Sequence, residues 1–221
     1  MKLYGRVLGI SLGILFCLPS LRAEGISGRR YTIFSRDIPI SRLTDTGRIS
    51  SARAKQMIAE RAAAVISALK SGNTSRLASF VSPTQGLRFS PYVSMDSTRD
   101  LVFQKSQLAK LSAGARRYSW GTFDGPEESP RLTFRQYYRR FIYDHDYSRA
   151  KRRGYNDEFL GHSTIPNNIP EFYPNGIAVE YNFPGFNPKF DGMDWKSLWL
   201  VFEQEGGTWY LVAIAHDEWS S

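Results

Sequence analysis

The end of the chain constrains the fold most. Ser197 to Glu203 is an apolar run, Glu205-Gly206-Gly207 is a turn, and Trp209 to Ala215 is a second apolar run. Two such runs joined by a glycine turn predict a β-hairpin. Just upstream, Ile177, Val179, Tyr181 and Phe183 alternate with Ala178, Glu180 and Asn182, which predicts a third strand with one wetter face. The same half holds most of the aromatics. Residues 118–221 carry 23 of the 31, including all five Trp, against six in residues 24–117. The core is therefore expected to concentrate there.

The first half reads as helix before strand. Ser50 or Ser51 can cap a helix. Ala54, Met57, Ile58, Ala62, Val65, Ile66 and Leu69 recur at helical spacing, Gly72-Asn73 turns the chain, and Leu77, Phe80 and Val81 mark a short second helix before Pro83. Leu87 to Ser90, Leu101 to Phe103 and Tyr118 to Phe123 read as short strands, with helical turns at Ser106 to Leu111. Thr133 and Gln136 form a capping box for a helix reaching about residue 143. Residues 144–170 are polar and rich in Asn, Gly and Pro, and read as a long loop of the kind that tends to carry function.

Length and charge narrow the class. At 221 residues the chain fits one domain, and 42% hydrophobic residues exclude wholesale disorder. Lys2 and Arg6, the apolar run Val7 to Leu18 and the small residue Ala23 have the order of a secretory signal peptide over residues 1–23. Removing it takes away Lys2, Arg6, Arg22 and the single Cys17, so the exported chain must hold itself together without disulfides. Phe16 before Cys17 argues against lipid attachment. Residues 24–50 read as a poorly ordered leader. Residues 24–153 carry a net charge of +13 and residues 154–221 carry −8. The halves are expected to neutralise each other in the fold. No compact basic run is interleaved with aromatics, so no nucleic acid is expected.

The helix, turn and short helix of residues 52–81, with Ala63, Val65, Lys70-Ser71-Gly72-Asn73, Leu77 and Phe80, and the terminal hairpin resemble the nuclear-transport-factor-2-like (cystatin-like) superfamily. Pro83 to Tyr92, Tyr118 to Gly121, Asp194 to Leu198, Trp209 to Val212 and His216 to Trp219 look like a family of uncharacterised exported bacterial proteins. The first resemblance implies a cone-like α+β fold that serves isomerases, dehydratases and non-catalytic modules alike. The second implies no activity.

The expected architecture is α+β: a curved antiparallel sheet packed against helices, cone-like, in one domain over residues 51–221. His216 and Asp217, at the end of the last strand, are the candidate catalytic residues, with His216 as general base. Tyr210, Val212, Ile214 and His216 share one face by parity, and adjacent His216 and Asp217 point to opposite faces. Arg88 and Tyr92 are placed to hold an anion at a pocket mouth. Tyr138, Trp120, Trp199 and Trp219 are candidates to line an aromatic cavity. Asp144-His145-Asp146 fan out along the chain and do not converge as metal ligands, so no metal or other cofactor is expected. The expected function is a non-catalytic ligand-binding or interaction module of the cell envelope, periplasmic or secreted. The alternative is a small cone-fold enzyme using His216 or an Asp as base. Expected partners are a small molecule or an envelope protein, with a homodimer through the sheet as a third option. No transmembrane anchor is expected after cleavage.

Overall fold

The computed structural model describes residues 47–121 and 131–219. The expected signal peptide, nearly all of the leader, and Phe123 lie outside these residues. Helix α1 (Ser51–Lys70) buries Ala54, Ile58, Ala62, Val65, Ile66 and Leu69, the apolar stripe read from the sequence. Ser50 holds the cap position, but its side chain makes no capping bond. Ser51 Oγ instead donates to the Tyr155 carbonyl at 2.6 Å, tying the helix start to the sheet edge. Gly72 takes the left-handed turn (φ 61°) and Asn73 caps α2 (Thr74–Phe80), its side chain accepting from the Arg76 amide.

Strands β1 (Leu87–Ser90) and β2 (Leu101–Phe103) precede helix α3 (Lys105–Leu111). Of the strand expected at Tyr118 to Phe123, the described residues show the two-residue β3 (Arg117–Tyr118), paired with β4 (Leu132–Thr133). Trp120 leaves the strand to enter the core. Thr133 and Gln136 do form the capping box of α4 (Phe134–Tyr137), and a π-helical turn carries the chain on through Ile142. The loop expected over 144–170 contains a strand, β5 (Arg152–Tyr155). After α5 (Ile169–Phe172) come β6 (Ile177–Phe183), β7 (Lys196–Glu205) and β8 (Thr208–Glu218).

These strands form one six-stranded sheet in the order β2-β1-β8-β7-β6-β5. The sheet is antiparallel, as the hairpin pattern implies, except that β1 runs parallel to β8. The fold is thus α+β, with a sheet covered on both faces. On one face, Leu87, Phe89, Val179, Tyr181, Leu198, Leu200, Phe202, Leu211 and Ile214 pack with buried residues of α1 to α4. On the other, Ala178, Trp199, Val201, Val212, Ala213 and Ala215 pack with Val93, Met95, Ile169 and Tyr173, which come from connecting segments.

A bulge sets what β8 presents. Val201 pairs with Ala213 and Phe202 with Leu211, leaving Val212 as the extra residue. An extra residue reverses the alternation. Val212 therefore sits with the outer cluster while Ile214 sits in the helix-side core, and the face expected to hold both is broken there. Beyond the bulge, His216 faces the helices beside Phe141, and Asp217 faces outward, where it lines a cleft with Trp199.

Trp120 fills the helix-side interior. It is fully buried and stacks on Tyr137 at 4.0 Å between centroids, 11° from parallel. Phe89 and Phe134 stand 6.0 and 6.1 Å away, and Trp120 Nε1 donates to the Leu132 carbonyl at 2.8 Å. Around Trp120 the aromatic concentration is a packed core, while Phe134 and Tyr138 also line a helix-side cleft of about 190 Å³.

Candidate functional site

Two polar constellations lie on opposite faces of the sheet. The helix-side one gathers around Asp144, at the end of the π-helical turn. Lys196 Nζ lies 3.0 Å from Asp144 Oδ2 and 2.5 Å from Glu218 Oε2, and Arg140 pairs with Glu218 Oε1. Tyr147 donates to Asp144 Oδ1 at 2.8 Å. His216 Nε2 stands 3.4 Å from Asp144 Oδ2, out of line for a hydrogen bond. Burial opposes charge on Asp144, yet His216, Lys196 and Tyr147 together hold its carboxyl well below the usual range. Glu218 is likewise lowered, burial being outweighed by Arg140, His216 and Lys196. The Arg140–Glu218 pair joins the basic half to the acidic half, as the charge segregation implies. His216 is fully buried and lines none of the clefts described below, so it meets no solvent-reachable space there.

The outer face is built differently. After β5 the chain turns at Asn156, a non-glycine residue in the left-handed region (φ 51°), and crosses the sheet as a strap over residues 156–173. Asn156 is held at both ends of its amide, donating to the Ile49 carbonyl at 2.5 Å and accepting from the Ala178 amide at 3.0 Å. Glu180, wholly buried, is the main fastening. It accepts from the Leu160 amide at 2.7 Å, the Gly161 amide at 2.9 Å and Ser197 Oγ at 2.5 Å. Position 161 has to be glycine for this approach, because a Cβ there would lie 2.7 Å from Trp195 Cζ3. Asn168 then joins the strap to the 91–97 segment by two bonds to the Met95 backbone, at 2.7 and 2.9 Å.

Two of the clefts on the outer face flank the strap, and Ile165 lines both. The larger holds about 580 Å³ and is lined by Ser90, Tyr92, Met95, Asp96, Asp100 and Phe172, among others. Burial pushes the Asp100 carboxyl up to about 6, against the lowering effects of the Asp96 amide, Arg88 and Ser90. Ser90 Oγ is buried and makes no well-aligned hydrogen bond among the described residues. The smaller cleft, about 270 Å³, is lined by Phe159, Gly161, Ser163, Trp199 and Asp217, among others. Asp217 is pushed up to about 7, by burial first and by repulsion from Glu180 and Glu218, with Ser163 opposing.

A pH dependence follows with a definite sign. Asp100 and Asp217 both have folded-state pKa values above their unfolded ones, so the folded state binds their protons more tightly. Their contribution is fully favourable below about pH 4 and is lost as pH rises through about 6 to 7. Asp144 and Glu218 act oppositely, losing their contribution as pH falls below the ordinary carboxylate range. Thermal unfolding of the unliganded protein should therefore show a midpoint roughly 5 °C higher at pH 5 than at pH 8. In Asp100→Asn that difference should shrink.

The other candidates fall in distinct places. Arg88 is already engaged: it donates to Tyr173 Oη at 3.2 Å and to the Asp96 carbonyl at 3.2 Å, and lies 3.7 Å from Asp100. It lines a separate outer cleft of about 230 Å³ with Gln85, Tyr173, Glu203 and Val212, among others. Tyr92 lines the larger cleft and touches Phe141. Tyr138 donates to the Leu69 carbonyl on the helix side. Trp120 is core, Trp199 lies on the outer face, and Trp219 is exposed at the last described position. Asp144 and His145 touch each other, but no group of three metal-capable side chains occurs among the described residues. Among those residues, too, no helix is long and apolar enough to cross a membrane. Ser90, Asp100, Phe159 and Glu180 were not singled out from the sequence. Glu180 carries a faint signal, as the one carboxylate in a strand that precedes an apolar hairpin.

No protein-family model matches the chain, and no curated protein matches it. Among solved structures, one described as a calcium/calmodulin dependent protein kinase II association domain from Xanthomonas campestris is similar. It shares 12% identity, with a TM-score of 0.32 over 76% of this chain and 88% of that one. A superposition that loose supports no inference about activity.

Proposed function

We propose that the chain is an exported, non-catalytic binding module of the nuclear-transport-factor-2-like kind, and that its ligand site is the larger cleft of the outer face. The ligand is a small molecule with a hydrogen-bond donor for Asp100 and an apolar part for Met95, Ile165 and Phe172. The observation that carries this reading is the joint placement of Asp100 and Ser90 in one cleft. Asp100 accepts from the Asp96 amide at 2.9 Å and has Ser90 and Arg88 beside it, which leaves part of the acceptor capacity of a desolvated carboxylate for a donor on a ligand. The signal-like first 23 residues support export, and the order of helix pair, strands and terminal hairpin supports the fold relationship.

A second reading, a small enzyme, is favoured by one observation: Asp100, raised to about 6, has the properties of a general base. Binding ranks first because neighbouring groups are already engaged. Asp96 caps its own turn through the Thr98 amide and hydroxyl, both at 2.7 Å, and Arg88 is held in place.

Thermal shift against a panel of small amines, alcohols and polyols tests the reading. At saturating concentration a true ligand should raise the unfolding midpoint by roughly 5 °C or more. The rise should vanish in Asp100→Asn and weaken in Ser90→Val. If every hit in the panel ignores both substitutions, the assignment is overturned. Consumption of a hit, abolished by Asp100→Asn, would favour the enzyme.

A further inference from the structure

The smaller cleft is independent of the larger one in its chemistry. Asp217 is 3% exposed, and its Oδ1 is buried with no hydrogen-bond partner among the described residues. The charges that act most on it, Glu180 and Glu218, are both negative. Glu180 is itself fully used in holding the strap. One wall of the cleft is aromatic. Trp199, 2% exposed, and Phe159, 51% exposed, stand 5.7 Å apart at 41°. The remaining lining, including Ser163, Ile165 and Asn167, brings no cation.

A partly desolvated carboxylate beside tilted aromatic faces is the arrangement that recognises an organic cation. The carboxylate supplies charge, and the ring faces supply a quadrupole that attracts ammonium without needing a donor. A metal ion is a poorer match, because hard cations want several oxygen ligands and Asp217 is the one acidic lining residue. The volume of about 270 Å³ suits a headgroup and not a drug-sized molecule. We infer that the cleft of Asp217, Trp199 and Phe159 is a binding site for a small organic ammonium group. This site stands apart from the one assigned to Asp100 and does not depend on it.

The test uses the full chain at pH 8, where Asp217 is ionised, titrated with choline and with n-butylammonium. The neutral isostere 3,3-dimethylbutanol serves as control, and sodium chloride holds ionic strength constant. Binding is followed by calorimetry and by tryptophan fluorescence. At least one ammonium compound should bind saturably, at least about tenfold more tightly than the neutral isostere. Asp217→Asn should abolish that preference, and Phe159→Ala, a half-exposed position that leaves the core intact, should weaken binding several-fold. Asp100→Asn should leave it unchanged, which separates this site from the larger cleft. Equal binding of the neutral isostere, indifference to Asp217→Asn, or no saturable binding of either ammonium compound would overturn the inference.

Discussion

Glu180→Ala is expected to release the strap from the sheet and lower the unfolding midpoint by roughly 10 °C. The carboxylate accepts three hydrogen bonds, at 2.5 to 2.9 Å, from Ser197 and from the Leu160 and Gly161 amides. Hydrogen bonds to a charged group contribute about 1.5–3 kcal/mol each, burial of the carboxyl works against them, and each buried donor left unpaired costs about 1–3 kcal/mol. In a domain of this size each kcal/mol moves the midpoint by about 2–4 °C. The damage should also be local. Hydrogen exchange should speed up at Leu160 and Gly161 while the α1 amides stay protected. Glu180→Gln, which keeps one carbonyl acceptor, should lose less. An unchanged midpoint in Glu180→Ala would mean that the strap is held by its apolar residues, Ile169 and Tyr173, and not by this carboxylate.

Trp120→Ala should be at least as damaging, for a different reason. The indole is fully buried against Tyr137, Phe89 and Phe134, and its N–H is satisfied by the Leu132 carbonyl. Truncating a buried aromatic costs about 3–5 kcal/mol, because the surroundings collapse only partly into the cavity. The backbone carbonyl at Leu132 would lose its partner as well. Trp120→Phe should recover much of the packing but not that hydrogen bond. Near-ultraviolet circular dichroism should lose intensity in both variants. A variant that folds should bind its ligand as the parent does, since Trp120 lines neither outer cleft. If binding instead tracked Trp120, the helix-side interior would be a ligand cavity after all.

What could be read from the sequence is largely what depends on short-range pattern. The α1 stripe, the Thr133–Gln136 capping box, the strand at 177–183 and the glycine turn of the last hairpin all lie within a few residues of the signals that define them. The failures come where tertiary structure decides. The Val212 bulge reverses parity along β8 and depends on pairing with β7. Strand β5 was hidden in a polar loop because Arg152, Arg153 and Gly154 form a strand only when the edge of β6 is there to pair with. Glu180 reads as solvent-facing in an alternating strand, and is buried because the preceding loop folds back over it. The opposite placement of His216 and Asp217 follows from strand geometry alone. Their surroundings do not: Asp144 is 72 positions from His216, and Phe159 is 58 from Asp217. Asp100 had no signal at all, since a carboxylate in a Ser-Thr-Arg-Asp turn is ordinarily solvated.

The proposed ligand sites lie on the strapped outer face of the sheet and not in the interior between sheet and helices. Amide chemical-shift mapping on uniformly labelled protein, during titration with the best thermal-shift hit, tests this most directly. Saturable changes should cluster in residues 90–100 and 159–172, with the amides around Arg140, Asp144, Lys196 and His216 undisturbed. Changes confined to that helix-side cluster would contradict this placement.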